Sequence, residues 1–363
     1  MSIWPRFIII SSTIFIILIF SGIAINYFVD VAQVYRSGSP QFKNAVTAYV
    51  DQLKKTPKGL SFPEFGREIK MELVKSTAAT CFITGSSHEM KIGSHAVKEL
   101  RNGCERTLNL AASGGSYEDF VTMAAIILKK QRPKKIYIGI GPWFFQFDSD
   151  SRYKRYEYAY TEARNYFGFK DQSIKTGFNA KLLNLVNGKY FLRNMDELAN
   201  FDKLKNRSKV KNLFAFREDP SILLPSGSLR SSAKQRDILL NRKKPATNAT
   251  QKDIGTYKMS MAEPNAILVQ NFIKVLKILL SKNIKIHLLL LPYHPSVWAC
   301  KNIAVCTWLN QAEAQVCNIA SELKIKVIGS YRPTKDNLTW RDFVDDHHVT
   351  EEAIQKHWQN GCF

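Results

Sequence analysis

Acidic residues are scarce in this chain. Thirty-one Asp and Glu stand against 52 Lys and Arg, a formal net charge of +21 over 363 residues. Such a surplus favours anionic surroundings: a membrane surface, an acidic polymer or nucleic acid. Cysteine is also sparse, with six residues at 81, 104, 300, 306, 317 and 362 and no C-x-x-C pair. That spacing argues against a cysteine-rich framework and against finger-type structural zinc. There is no internal repeat and no low-complexity tract. With 45% hydrophobic and 23% charged residues, wholesale disorder is excluded. The length suits one large domain, or a core domain carrying an insertion.

Long hydrophobic runs are limited to one. Residues 7–29 read FIIISSTIFIILIFSGIAINYFV without a charge, and Asn26 is their only strongly polar side chain. As a helix this segment covers roughly 30 Å of hydrocarbon, enough to span a bilayer. Arg6 precedes it and Asp30 follows, a bias that places the amino end inside and the remainder outside. The alternative is a signal peptide cleaved after Ala24; the charge-poor start and long apolar core favour a retained anchor. An outward chain can form disulfides. Cys300 and Cys306 are close enough for a local loop, while Cys81, inside an apolar strand, reads as a buried thiol.

Five short apolar runs read as strands: 80–84, 107–111, 135–140, 285–291 and 324–328. They show little alternation, as in strands buried on both faces. Helical patterns at 117–130, 265–282 and 311–323 separate several of them. Strand–helix–strand repetition predicts a parallel sheet covered on both sides. The expected organisation is an anchor at 1–29, a stalk and leading helices at 30–77, and a sheet domain in two parts, 78–150 and 262–363. Between the parts lies a basic, Tyr-rich and mostly helical insertion at 151–261. Within it, PSILLPSG at 220–227 predicts a hairpin or turn. The interleaved Tyr and Arg of its first stretch suit base stacking, sugar stacking or simple core packing, and an outward location counts against nucleic acid.

Three stretches carry chemistry. Cys81-Phe-Ile-Thr-Gly85-Ser86-Ser87-His88 is a buried strand running into a tight turn, which places Ser87 at the carboxyl edge of the sheet, where open α/β sheets hold ligands. It is not G-x-S-x-G, because Glu89 stands at the last glycine. His88, directly after Ser87, is expected to point elsewhere. Asp345-Asp-His-His348 lies on a loop before a helix that Thr350 would cap. Its spacing can set a carboxylate on the His348 Nδ1 and leave Nε2 to accept a serine proton. The adjacent histidines could instead bind a metal, but no third ligand stands at suggestive spacing, so no metal and no cofactor is expected. Asn109-Leu-Ala-Ala-Ser113-Gly114-Gly115 closes the second strand, and its glycines let a backbone N–H approach a reacting centre. Tyr293 and His294, after the fourth strand, end at the same edge and could line a pocket; His294 could equally be structural.

Taken together and in order, these stretches resemble the SGNH (GDSL-type) hydrolase superfamily. Gly85-Ser86-Ser87 is similar to its first block, with Ser86 in place of the usual Asp. Asn109 to Gly114 is similar to the second, and Asp345-x-x-His348 to the last. The resemblance covers 78–148 and 262–361. It implies a three-layer α/β/α, flavodoxin-like domain with Ser87 as nucleophile, His348 as base and Asp345 as orienting acid. Ser87 and Gly114 would supply oxyanion N–H groups. The third block departs from the family: its Asn is missing from Gly139-Ile-Gly141-Pro142-Trp143-Phe144-Phe145-Gln146. Gln146 is the nearest amide, and Trp143 would serve as a substrate platform or as a core aromatic. One anchor plus such a domain is similar in layout to membrane-anchored acyl-transfer proteins of the bacterial envelope. The implied function is serine-dependent O-acyl transfer or ester hydrolysis on an envelope glycan or glycolipid, partnered by a membrane-bound O-acyltransferase. The alternative is a degenerate module that binds an acidic glycan or scaffolds a synthesis complex.

Overall fold

The computed structural model describes residues 3–29, 40–62, 66–93, 96–100, 104–146, 153, 156–169, 185, 186, 188, 191, 192, 195, 221–231, 263–298, 303–345 and 347–358. The chain divides into two compact units. One comprises Met1–Ala45, Lys154–Glu157 and Lys170–Ala215; the other comprises Val46–Tyr153, Tyr158–Phe169 and Phe216–Phe363. In the first, helix α1 (Ile3–Val29) contains a stretch, Phe7–Phe28, with mean hydropathy 2.7, long and apolar enough to cross a membrane. Its Phe15, Leu18 and Phe20 are exposed, whereas Asn26 is buried and its Nδ2 donates to Leu185 O at 2.7 Å. That bond removes the cost of burying the one amide in an otherwise apolar helix.

The second unit is α/β. Its elements, in order with the helix that leads into it, are α2 (Pro40–Lys55), β1 (Leu60–Ser61), α3 (Gly66–Ser76), β2 (Cys81–Thr84), β3 (Thr107–Asn109), α4 (Tyr117–Lys130), β4 (Lys135–Gly139) and α5 (Glu157–Tyr166). After these come β5 (Ile222–Leu223), β6 (Leu229–Arg230), α6 (Ala266–Ser281), β7 (Lys285–Leu290), α7 (Pro295–Trp298), α8 (Ile303–Leu323), β8 (Lys326–Gly329) and α9 (Glu351–His357). Five strands pair in parallel in the order β3-β2-β4-β7-β8. Counted along the chain, that order is 2-1-3-4-5, and its switch point falls between β2 and β4. Ile83, Ile138, Leu288 and Leu289 are at most 1% exposed, which is why the runs read as continuous apolar segments rather than alternating ones.

Helices α4 and α6 follow from capping. Ser116 and Asp119 form a reciprocal box at the start of α4, and the Asn265 side chain accepts from Ile267 N and Leu268 N at the start of α6. Helix α8 begins eight residues before the expected 311, because Val305, Trp308, Leu309, Ala312 and Val316 are buried at helical spacing. The expectation of a free thiol at Cys81 is corrected: Cys81 forms a disulfide with Cys104, 23 residues on. Closing a loop of that size stabilises by about 3 kcal/mol on the chain-entropy estimate. Cys306 and Cys317 are disulfide-bonded too, while Cys300 lies outside the described residues.

The stalk before Pro40 and most of the 151–261 insertion also lie outside the described residues. Two described parts of the insertion, α5 and the β5–β6 hairpin, belong to the second unit apart from Glu157. Tyr153 and Tyr160 are buried and meet edge to face at 5.6 Å, whereas Tyr158 is exposed. Part of the Tyr-rich stretch is therefore core. The hairpin pairs antiparallel with β1 and clamps the end of β3, with Asn109 N donating to Ser226 O at 2.8 Å. Its turn needs glycine at 227, where φ is +77° and a Cβ would overlap Asn109 O. Buried Lys70, from α3, donates through Nζ to Asn109 O at 2.7 Å and also to Gly227 O.

Burial lowers the Lys70 ammonium to about 7. Between there and its ordinary 10.5 the unfolded chain holds a proton that the folded chain lacks, so stability rises with pH across that window, by up to about 1.4 kcal/mol per pH unit. Urea unfolding of the full chain in detergent at pH 7 and pH 9 should show wild type gaining more stability than Lys70→Met. An equal gain in both would contradict this role for Lys70.

Candidate active site

The turn after β2 is closed by Ser86 and Glu89. Ser86 N donates to Glu89 Oε2 at 2.6 Å, Ser86 Oγ donates to the same oxygen at 3.1 Å, and Glu89 N returns to Ser86 O at 3.3 Å. Burial, working against the Ser86 hydrogen bonds, pushes the Glu89 carboxyl up to about 7. Glu89 packs where a Cβ on Gly85 or Gly139 would strike its carboxyl group. The residue that breaks the G-x-S-x-G pattern thus holds Ser87 in place. The spacing Ser86-x-x-Glu89 was the available signal for it.

Across the sheet edge, the chain before α9 is closed by backbone bonds between Asp342–Val344 and His348–Thr350. Phe343 and Val349 make an antiparallel bridge, Val344 N donates to His348 O at 2.7 Å, and Thr350 N donates to Asp342 O at 2.8 Å. Thr350 caps α9 through Ala353 N. Asp345 Oδ1 accepts from His347 N at 3.0 Å and His348 N at 2.7 Å, an Asx-type turn. Asp345 Oδ2 lies 2.7 Å from His348 Nδ1, and His348 Nε2 lies 2.9 Å from Ser87 Oγ. An ionised carboxylate only accepts, so Nδ1 carries the ring proton and Nε2 accepts from the Ser87 hydroxyl. Burial works to raise the Asp345 carboxyl. The His348 hydrogen bond, the neighbouring His348 and His347 rings and the His347 N–H together outweigh it and hold the carboxyl well below the usual range.

The loop after β3 packs onto the serine turn. Ala112 N donates to Gly85 O at 3.1 Å, and a Cβ on Gly115 would overlap that same oxygen. Gly114 has φ +62°. Neither Ser87 N–H nor Gly114 N–H donates to a protein acceptor among the described residues. Asn109 bonds to the chain beyond Ser87. Its Nδ2 donates to Glu89 O and Ile92 O at 2.7 Å each, and its Oδ1 accepts from Ala111 N, tying β3 to the chain beyond Ser87. Arg67 pins the same loop from α3, with Nε and Nη2 on the two Asp119 oxygens at 2.9 and 3.0 Å and Nη2 also on Gly114 O at 2.9 Å. No sequence signal pointed to Arg67, because its partners are set by how α3 meets α4.

His88 corrects an expectation. Residues 86–91 wind as a tight helical turn, with His88 at φ −61°, ψ −42°, so consecutive side chains need not oppose each other. The His88 ring lies 5.2 Å from His348, 5.4 Å from His347, 5.3 Å from Tyr293 and 5.7 Å from Trp143, centre to centre. Burial first, then the His348 and His347 rings, hold His88 well below the usual histidine range against the pull of Asp345. Trp143 is half-buried, and its Nε1 donates to Gly115 O across 3.4 Å, so the indole edge is directed at the loop. Gln146 is buried at the end of the same turn.

Tyr293 and His294, expected to line a pocket, are both buried. Tyr293 is fully buried behind His88. His294 is buried against Phe343, and its Nδ1 accepts from Ser296 N at 3.1 Å beside the Ser296 hydroxyl at 2.6 Å, a structural position at the start of α7.

No protein-family profile and no curated protein matches the chain.

Because the Arg67–Asp119 pair is buried on both sides, Arg67→Met leaves an uncompensated carboxylate. Removing one partner of such a pair costs about 3–5 kcal/mol. The unfolding midpoint of the full chain in detergent should drop accordingly, and an unchanged midpoint would refute the pinning role.

Proposed function

We propose that this protein is a membrane-anchored serine acyltransferase or esterase, with Ser87 as nucleophile, His348 as general base and Asp345 as its orienting acid. The observation that carries the reading is the continuous chain of contacts Asp345–His348–Ser87 at 2.7 and 2.9 Å. The 2-1-3-4-5 strand order supports a flavodoxin-like domain of the SGNH type, with Ser87 at the switch point.

In the first half-reaction the Ser87 oxygen attacks an ester carbonyl while His348 Nε2 takes its proton and Asp345 stabilises the imidazolium. The Ser87 and Gly114 N–H groups receive the oxyanion. His348 then protonates the departing alcohol, leaving an acyl-Ser87. In the second half, a sugar hydroxyl or water gives its proton to His348 and takes the acyl group. The family's oxyanion Asn has no counterpart after β4, and one such donor is worth about 3–4 kcal/mol, so turnover is slow.

Arg6 before the apolar stretch of α1 and Asp30 after the helix favour an outward catalytic unit. The Cys81–Cys104 disulfide supports the same side, since disulfides persist in oxidising compartments. There the net charge of +21 draws the unit toward anionic lipid or polymer. The proposed substrate is an acylated envelope glycan or glycolipid, with the acyl group supplied through the membrane by an O-acyltransferase.

On 4-nitrophenyl acetate, full-length Ser87→Ala and His348→Ala in detergent should each lose at least about a thousandfold in kcat/KM, and the double variant should lose no more than either. Full activity in Ser87→Ala would end the mechanism. Separately, non-reducing peptide mapping of protein from cells quenched with a thiol blocker should recover the cross-linked Cys81 and Cys104 peptides. Blocked thiols at both positions would place the unit in the cytoplasm.

A further inference from the structure

His88, His347 and His348 each offer a ring nitrogen, and the three nitrogens lie within 4.8 Å of one another. His88 and His348 come from the two opposite loops of the candidate site, so the cluster exists only because those loops converge. His88 is 6% exposed, and its Nε2 is buried with no hydrogen-bond partner among the described residues, an arrangement that is costly without an occupant. His348 already makes the contact that a metal-ligating histidine usually makes through its second nitrogen, Nδ1–H to a carboxylate. His347 has the same carboxylate 3.6 Å from its Nδ1.

We propose that the three imidazoles form an inhibitory site for a divalent transition-metal ion of the zinc class, which binds His348 Nε2 in place of the Ser87 hydroxyl. This rests on the proposed role of Ser87 and His348 and adds a regulation to it. Three neutral histidines and one open position suit zinc, and imidazole suits copper and nickel as well. Tetrahedral ligands about 2.0–2.1 Å from zinc stand roughly 3.4 Å apart. The present spread therefore closes by ring rotation, chiefly of the part-exposed His347 and His348. Bound this way, the metal takes the lone pair that deprotonates Ser87. Activity and metal occupancy then exclude each other, with no covalent change.

The test uses the untagged full chain in detergent, stripped with chelator and titrated with zinc chloride against a chromophoric zinc indicator. The expected result is one zinc per chain, weakened at least ~tenfold in His88→Ala and in His347→Ala, and retained or tightened in Ser87→Ala, where no hydroxyl competes. In parallel, zinc should suppress 4-nitrophenyl acetate hydrolysis by wild type, chelator should restore it, and His88→Ala should require at least ~tenfold more zinc for the same suppression. No stoichiometric binding, or equal binding in wild type and both histidine variants, would overturn the site. Activity lost with chelator and regained with zinc would overturn its inhibitory sense. Zinc binding as described, in a protein without any esterase activity, would leave the site standing and remove the catalytic reading.

Discussion

A hydrogen bond between residues 261 positions apart, His348 and Ser87, is the contact on which this molecule's organisation turns. It can form only if the turn after β2 and the loop before α9 reach the same rim of the sheet. Parallel pairing ensures this for every strand-to-helix turn, because all five strands end at one edge. The two loops are then fixed independently. Glu89 and Asn109 hold the serine turn, while the Asp345 turn and the Phe343–Val349 bridge hold the histidine. Neither loop relies on the other for its shape, so the contact between them joins two rigid pieces.

The architecture spends buried polar groups on that rigidity. Arg67, Lys70, Glu89 and Asp119 are all buried within or beside the loops at this edge. Each satisfies backbone groups that a sheet cannot: Arg67 on Gly114 O, Lys70 on Asn109 O, Glu89 on Ser86 N and Asp119 on Ser116 N. Half-satisfied buried networks are worse than apolar packing, whereas satisfied ones specify a single arrangement. Close approach completes the pattern: a side chain at Gly115 would overlap Gly85 O and force the β2 and β3 loops apart, and one at Gly85 would strike the Glu89 carboxyl.

Much of this was legible in the sequence because it is local. The five strands announced themselves as short Val/Ile/Leu runs, and the helical pattern at 117–130 is α4 to the residue. Ser87, Asp345 and His348 were legible as motifs, since turn chemistry and an Asp-x-x-His spacing are written in consecutive residues. What escaped depends on tertiary packing or on winding. His88 was misjudged because the helical winding of the turn, which brings its ring beside His348, is not written in the adjacency of residues 87 and 88. Tyr293 and His294 sit at the right edge in sequence terms, but their burial is decided by His88 and Phe343. Cys81 found a partner only because the 23-residue excursion to Cys104 folds back beside β2.

The central claim is that the Ser87 hydroxyl is activated by His348 rather than merely touching it. The most direct measurement is mass-spectrometric mapping of a fluorophosphonate adduct on the chelator-treated full chain in detergent. The account predicts a stoichiometric adduct on the peptide bearing Ser87, and none there in His348→Ala. An unmodified Ser87, or equal labelling with and without the histidine, would contradict it.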